Sequence, residues 1–472
     1  MQVSLVAMPN EGPNTPTTDC ISPIELQLQG RRVQVVGDAP AISSDGGVLL
    51  LRQVDEHLRL TGHFARLLPD DRAVDRVRHS REEQLRQRVY QICLGYEDCN
   101  DADRLRTDPA LRLACGAEDI ELSSQPTLSR FENAITGREL NQLWREYERQ
   151  YVAALDPATT LVVLDIDSTD DPTHGSQQLA FFHGFYDQHM FHPLLVFDAT
   201  TGQLITALLR PGRAHAARGA ISILTRLIRA IRTRCPDAAI VVRGDSAFAM
   251  PRLLERLEHL AAELGGVDYV IGLATNSRLL AMAEPLRTSV AEQFVDGGQF
   301  VRRFTWISYA AASWPAERNV VVKVEHSSRG ENPRFVVTTL NGFAPELIYD
   351  AAYCPRGQSE NFIKDLKNAL GAERLSCHRF IANAFRLFLH ALAYRLMHAL
   401  RVAVAKVAPV VTPAGESKAL RLAAAQMDTL RLRLLKVAAV VVSSVRRVLV
   451  HLPRSFPLAG VFLATARALG AA

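Results

Sequence analysis

Hydrophobic positions recur at helical spacing through the first third of the chain and at strand spacing after it. In "GGVLLLRQVDEHLRLTGHFARLL", Leu49, Leu50, Val54, Leu58 and Leu60 fall near a helical period, and "REEQLRQRVYQICLGYED" sets Leu85, Val89, Ile92 and Leu94 likewise. The pattern predicts a helical region from Ser44 to Glu148, preceded by a loose Pro-, Thr- and Asn-rich stretch up to about Gly30. Such a helical unit suits DNA binding, dimerisation or a plain bundle.

The character changes at "TTLVVLDIDST", where Thr160 to Asp167 is an apolar, β-branched run of strand length ending in carboxylates. "HPLLVFDATTGQLITALLRPG" reads as two strands joined by a turn at Thr201-Gly202. Ala217–Cys235 is an amphipathic helix with Ile221, Leu224, Leu227, Ile228 and Ile231 on one face. "AAIVVRGDSAF" is a buried strand delivering Asp245, and "PRLLERLEHLAAEL" starts a helix with Pro251 in its first turn, where a missing N–H costs little. Three strands, helix, strand, helix describes an α/β chain with a mixed sheet. Four further strand-like segments between Gly265 and Leu340 predict a β-rich insertion, and His378–Val404 a long apolar helix. Leu430–Leu452 reads as two strands, Arg431 to Leu434 alternating, with a helix as the alternative. The expected divisions are a helical N-terminal region (1–150), a core (158–265), a β insertion (266–345), the rest of the core (346–405) and a basic C-terminal region (406–472).

Composition changes this picture little. The 472 residues are 48% hydrophobic and 22% charged, with a net charge of +4, as in an ordinary globular protein. The charge is uneven, however: Arg401–Ala472 carries eleven Lys or Arg against Glu416 and Asp428. That tail fits a polyanion or a solvated basic face. Seven cysteines without a CxxC pair point to reduced thiols rather than zinc. With no signal peptide and no membrane span in the sequence pattern, a cytoplasmic protein without a membrane partner is expected.

The candidate chemistry lies in carboxylates. Asp167 and Asp245 end strands, and Glu360 lies in "YCPRGQSENFIKDLK", which opens like a loop and ends like a helix. Its Arg356, Glu360 and Lys367 are spaced to share one helix face. Ionised acids at neighbouring strand ends repel one another, and divalent cations remove that cost. Hard oxygen ligands select Mg²⁺ or Mn²⁺, and an ion pair of that kind serves phosphoryl transfer. Asp165 and Asp167 point to one face of their strand, so both are candidates for the first acid.

Here the chain resembles the DDE transposases of bacterial insertion sequences. "LDIDST" supplies Asp167, "VVRGDSAF" Asp245 and the later helix Glu360, in that family's order. Tyr353, Arg356, Glu360 and Lys367 match the Tyr, two residues, Arg, three residues, Glu, six residues, Lys signature of the branch with a β insertion. The resemblance implies an RNase H-like mixed-sheet core with a β-rich insertion, and it makes the helical region 1–150 the expected DNA-binding part of the chain. It implies two Mg²⁺ ions, with Mn²⁺ as a substitute, on Asp167, Asp245 and Glu360. The small residue and Thr that follow the family's first acid favour Asp167, leaving Asp165 a supporting role. Tyr353, Arg356 and Lys367 would meet double-stranded DNA, both element ends and target, in a homodimer on paired ends. Arg210 and Arg213 of "RPGRAHAARG" are further candidates for DNA contact, with a basic loop as the alternative. Asp170 and Asp171 suit a turn, His189 and His192 structural roles, and Trp306 and Trp314 the core. The rival reading is a catalytically silent, transposase-derived DNA-binding repressor; a nuclease that cuts without joining is a second.

Overall fold

The computed structural model describes residues 23–38, 40–117, 120–294, 300–408 and 413–471. Its centre is an eight-stranded sheet built from β1 (Leu161–Ser168), β2 (Leu194–Asp198), β3 (Leu204–Leu208), β4 (Ala239–Gly244), β5 (Val267–Leu273), β6 (Val301–Tyr309), β7 (Arg318–Ser327) and β8 (Gly330–Thr338). In space they run β3-β2-β1-β4-β5-β8-β7-β6. Strand β4 lies parallel to both β1 and β5. The remaining neighbours are antiparallel.

Strand β1 has two different faces. Val162, Leu164 and Ile166 join the apolar layer formed with α4 (Ala220–Arg234), α5 (Pro251–Leu264) and α6 (Ser277–Gln293). Asp165 and Asp167 point the other way, as period-two alternation requires. Near them, Val241 and Val270 are covered by Ile348 and Tyr349. Farther along, the sheet meets the N-terminal helices through α8 (Phe380–Val407). Of these, α1 (Val48–Leu58), α2 (Arg81–Cys93) and α3 (Gly137–Ala154) are the longest.

Helix α8 is the tie between the two halves. It is the one helix among the described residues long and apolar enough to cross a membrane, yet 78% of its apolar window is buried inside the protein. Phe388 packs edge-on against Phe64 and Trp144, while Tyr394 Oη donates to the Gly202 carbonyl in the β2–β3 turn at 2.8 Å. The fully buried Arg88 on α2 donates to Glu132 at 2.8 Å, and Arg386 of α8 lies 3.8 Å from the same carboxylate. A buried charge survives only when paired in this way.

Four sequence expectations change. The loose stretch does not reach Gly30: Ile24–Leu28 and Arg31–Val35 form a hairpin turning at Gln29 and Gly30, both at positive φ. Strand β5, assigned to the insertion, is a parallel member of the central sheet, and the inserted strands simply extend that sheet. Within the same block, Ser277–Gln293 is a helix burying Leu279, Ala283 and Val290. That stripe has helical spacing, which the strand-like neighbours obscured. Arg431–Leu435 is a helical turn, and the two C-terminal strands begin only at Ala439.

Helix α4 forms as its periodicity requires, and Leu224, Leu227, Ile228 and Ile231 of the expected face are buried. Ile221 is the exception: it is 38% exposed, and Ile223, at 5%, takes its place in the buried stripe. Ile223→Ala should therefore lower unfolding stability by about 2–4 kcal/mol. Ile221→Ala should cost less than about 1 kcal/mol. Denaturant titration of the two variants side by side measures the difference.

Candidate active site

The register of β1 against β4 sets Asp165 opposite Arg243. Arg243 donates through Nε and Nη2 to both Asp165 oxygens, at 2.6 and 2.8 Å, and through Nη1 to the Ala352 carbonyl at 3.0 Å. Asp165 is fully buried. Its oxygens are occupied by this fork, so it acts as an anchor between strands.

Two residues farther on, the same alternation carries Asp167 and Asp245 to neighbouring strand ends. Asp245 remains extended just past β4, and its Oδ1 accepts from the Ala247 N–H at 3.0 Å. Burial raises the Asp167 pKa to about 6; Arg356 opposes that shift and the negative charge of Asp245 adds to it. Arg356 Nη1 donates to Asp167 Oδ2 at 2.9 Å, and the Ser168 N–H to Oδ1 at 2.8 Å. Burial works against the Arg356 charge, but Asp167 beside it holds the guanidinium protonated more firmly than usual.

The segment delivering Arg356 is helical from Pro345 to Ala369 rather than loop first. It passes through π turns at Ile348–Tyr353 and Asp365–Ala369, a 3₁₀ turn at Cys354–Arg356, and α7 (Gly357–Lys364). The irregular turns break the simple one-face spacing. Tyr353 packs 5.6 Å from the Tyr349 ring, and its hydroxyl lies over Gly272 of β5, where an added Cβ would sit 2.6 Å from it. Lys367 Nζ donates to Asp170 Oδ1 at 2.8 Å, and Gln188 donates to the other oxygen at 2.9 Å. Burial resists ionisation of Asp170, but the Lys367 bond outweighs it and lowers the pKa.

The predicted residues thus divide. Asp167, Asp245, Tyr353 and Arg356 come together, and Lys367 joins them through the Asp170 loop. Glu360, in the first turn of α7, is exposed and makes no hydrogen bond or ion pair among the described residues. No trio of ligand-type side chains is assembled among those residues. Two hard carboxylates at neighbouring strand ends, one of them raised in pKa, are nonetheless donors of the kind suited to a divalent cation. Arg356 supplies the balancing positive charge in this arrangement.

Arg210 is placed differently from the expectation of DNA contact. It is 2% exposed, and its guanidinium donates to the carbonyls of His192 at 2.6 Å, His215 at 3.1 Å, Ala216 at 2.5 Å and Arg218 at 2.9 Å. These bonds shape the loop from inside, leaving few donors for a phosphate. Arg213 is exposed and lies over the Phe181 ring at 5.2 Å. His192 is structural, its Nδ1 donating to the Ala214 carbonyl at 2.9 Å. Asp171 is not a simple turn residue: it is 2% exposed, both oxygens lack hydrogen-bond partners among the described residues, and burial pushes its pKa well up.

Three further participants escaped the sequence reading. Tyr186, on the small hairpin Phe181–His183/Gln188–Phe191, is raised in pKa by burial and then by Asp170, Asp167 and Asp245, which puts it beside the acids. Gly272 had a signal, a glycine inside the strand pattern "VIGLA". Arg243 had a weaker one, an arginine inside an apolar strand.

The model of the transposase DDE domain group 1 family matches residues 26–472. The chain belongs to that DDE transposase family. A search of curated proteins finds no match. Among solved structures, a piggyBac transposase synaptic complex with hairpin DNA aligns over 83% of this chain and 81% of that one, at 10% identity and a TM-score of 0.43. That likeness is too distant to assign residue roles in this transposase.

Asp165 and Asp167 should respond oppositely to substitution. Asp165→Asn leaves Arg243 buried without a charged partner and should lower stability by about 3–5 kcal/mol. For Asp167 the folded pKa lies above the ordinary 3.8, so native stability falls as pH rises from about 4 through about 6. Asp167→Asn abolishes that loss. The variant should gain on the wild type by up to about 3 kcal/mol between pH 4 and pH 8, read from denaturant midpoints at both pH values.

Proposed function

We propose that this transposase belongs to a bacterial insertion sequence and that its core is RNase H-like. It binds the element's ends in double-stranded DNA, cuts them by divalent-metal-dependent hydrolysis and joins the freed 3′-hydroxyls to target DNA. The observation that carries this reading is the Asp167–Asp245 pair at the ends of adjacent parallel strands, with Arg356 against it. The order β3-β2-β1-β4-β5 supports the core assignment.

Asp167 and Asp245 would hold Mg²⁺, or Mn²⁺ in its place, with Glu360 completing the site when α7 engages DNA. Bound there, a pair of such ions supplies activation of the attacking oxygen and stabilisation of the leaving one. Arg356 then exchanges its bond with Asp167 for a DNA phosphate, which suits a guanidinium fork. Tyr353, held against Gly272, orients Arg356 from behind. Lys367 keeps the Asp170 loop in place until a phosphate competes for its charge. Paired ends imply a homodimer, and the compartment of that DNA is the cytoplasm.

The test uses a labelled duplex carrying the inverted repeats that flank the gene, with Mg²⁺. Asp167→Asn, Asp245→Asn and Glu360→Gln should each lower nicking by roughly 10²-fold or more while still binding the duplex. Mg²⁺ should also raise the thermal midpoint of the wild type at pH 8 and leave that of Asp167→Asn unmoved. Wild-type nicking matched by Glu360→Gln would remove Glu360 from the site. Binding without nicking by the wild type would leave a silent DNA-binding protein in place of the enzyme.

A further inference from the structure

Away from the acids, the N-terminal helices enclose a groove of about 470 Å³. Its wall is strongly basic, with six guanidiniums: Arg72, Arg76, Arg78, Arg81, Arg106 and Arg130. The carboxylates bonded to them are few. Asp70 pairs with Arg72 at 2.5 Å and lies 3.6 Å from Arg81, and Glu121 pairs with Arg106. Arg76, Arg78 and Arg130 are exposed and have no acidic partner among the described residues.

The floor is preorganised. His79 lines the groove at 8% exposure, and its Nδ1 has no hydrogen-bond partner among the described residues, Glu83 standing 4.0 Å away. Burial lowers its pKa, and Arg78 and Arg72 lower it further against the opposing pull of Glu83. Arg81 is fixed by the Pro69 carbonyl at 2.9 Å and stands over the Phe131 ring at 5.6 Å. Ser124 and Thr127 bring in the N-terminal end of helix Gln125–Asn133, whose dipole also favours an anion.

The groove is linked to the catalytic strand end. Ala134 lines it, and the carbonyl of the adjacent Asn133 accepts from Arg379 at 2.6 Å. Next to Arg379, the Phe380 N–H donates to Gln178 at 3.1 Å and His378 Nδ1 to the Ser176 carbonyl at 2.8 Å. Ser176 and Gln178 belong to the loop that leaves β1 after Asp167.

We infer that this groove is a second DNA contact, gripping the phosphodiester backbone of the duplex outside the cleavage site, with Arg76, Arg78 and Arg130 as its free phosphate ligands and His79 as a buried donor behind them. The inference rests on the transposase reading and adds where the helical region meets DNA. Contacts of this kind position the duplex without reading its sequence.

The experiment measures binding of the full chain to a fluorescent random-sequence duplex as salt is varied. In the triple variant Arg76→Ser/Arg78→Ser/Arg130→Ser, the slope of log K against log salt should become shallower by about 2.7, for three lost phosphate contacts, with at least a tenfold loss of affinity at low salt. The corresponding triple Lys variant should keep the wild-type slope, since the charge is what matters. An unchanged slope and affinity in the Ser variant overturns the groove, and if the wild type still nicks its ends the transposase reading stands. Equal loss in the Lys and Ser variants would place the effect outside phosphate charge and also overturn it. A wild type that neither binds nor cuts DNA refutes both.

Discussion

The cross-strand bond between Arg243 and Asp165 is the constraint on which the site depends. A parallel pair of strands has no tight turn to set its register, so side chains must do so. Here a buried guanidinium fork spans from β4 to β1 at 2.6 and 2.8 Å. Slipping the pairing by one residue would bury Arg243 among apolar side chains and leave Asp165 unpaired. With the attractive pair fixed, the next same-face residues are Asp167 and Asp245, two like charges that would otherwise drift apart. The favourable contact thus holds an unfavourable one in position.

That unfavourable contact needs a counter-charge, and Arg356 supplies it from a different part of the chain. Its placement relies on the irregular helical path from Pro345 onward, on Tyr349 and Tyr353 packed against the sheet, and on Gly272, where a larger residue would collide with the Tyr353 hydroxyl. Arg243 reaches the same segment through the Ala352 carbonyl. Register anchor and counter-charge are therefore coupled. A disturbance in either changes the electrostatics at Asp167.

Helix α8 plays the corresponding role on a larger scale. Its apolar flank joins the N-terminal helices to the sheet, and its Arg386 shares the buried Glu132 with Arg88. Its start lies against both the basic groove and the loop leaving β1.

Much was legible in the sequence, and for identifiable reasons. Apolar runs closed by carboxylates at Asp167 and Asp245 marked strands, because alternation and burial are local properties. The spacing around Glu360 to Lys367 marked a helix, because it lies within one segment. Long-range choices were not legible. Asp165 and Asp167 are equivalent on their own strand, and only the opposing Arg243 separates the interstrand anchor from the acid that meets Arg356. Arg210 looked like an exposed base, but carbonyls from a folded loop converge on it. The strand Val267–Leu273 reads alike in an insertion or in a core, and its pairing with β4 decides. Sequence periodicity determined which elements form and which faces they bury; the tertiary structure decided which charges meet, because the energy of a charge depends on partners that lie far away along the chain.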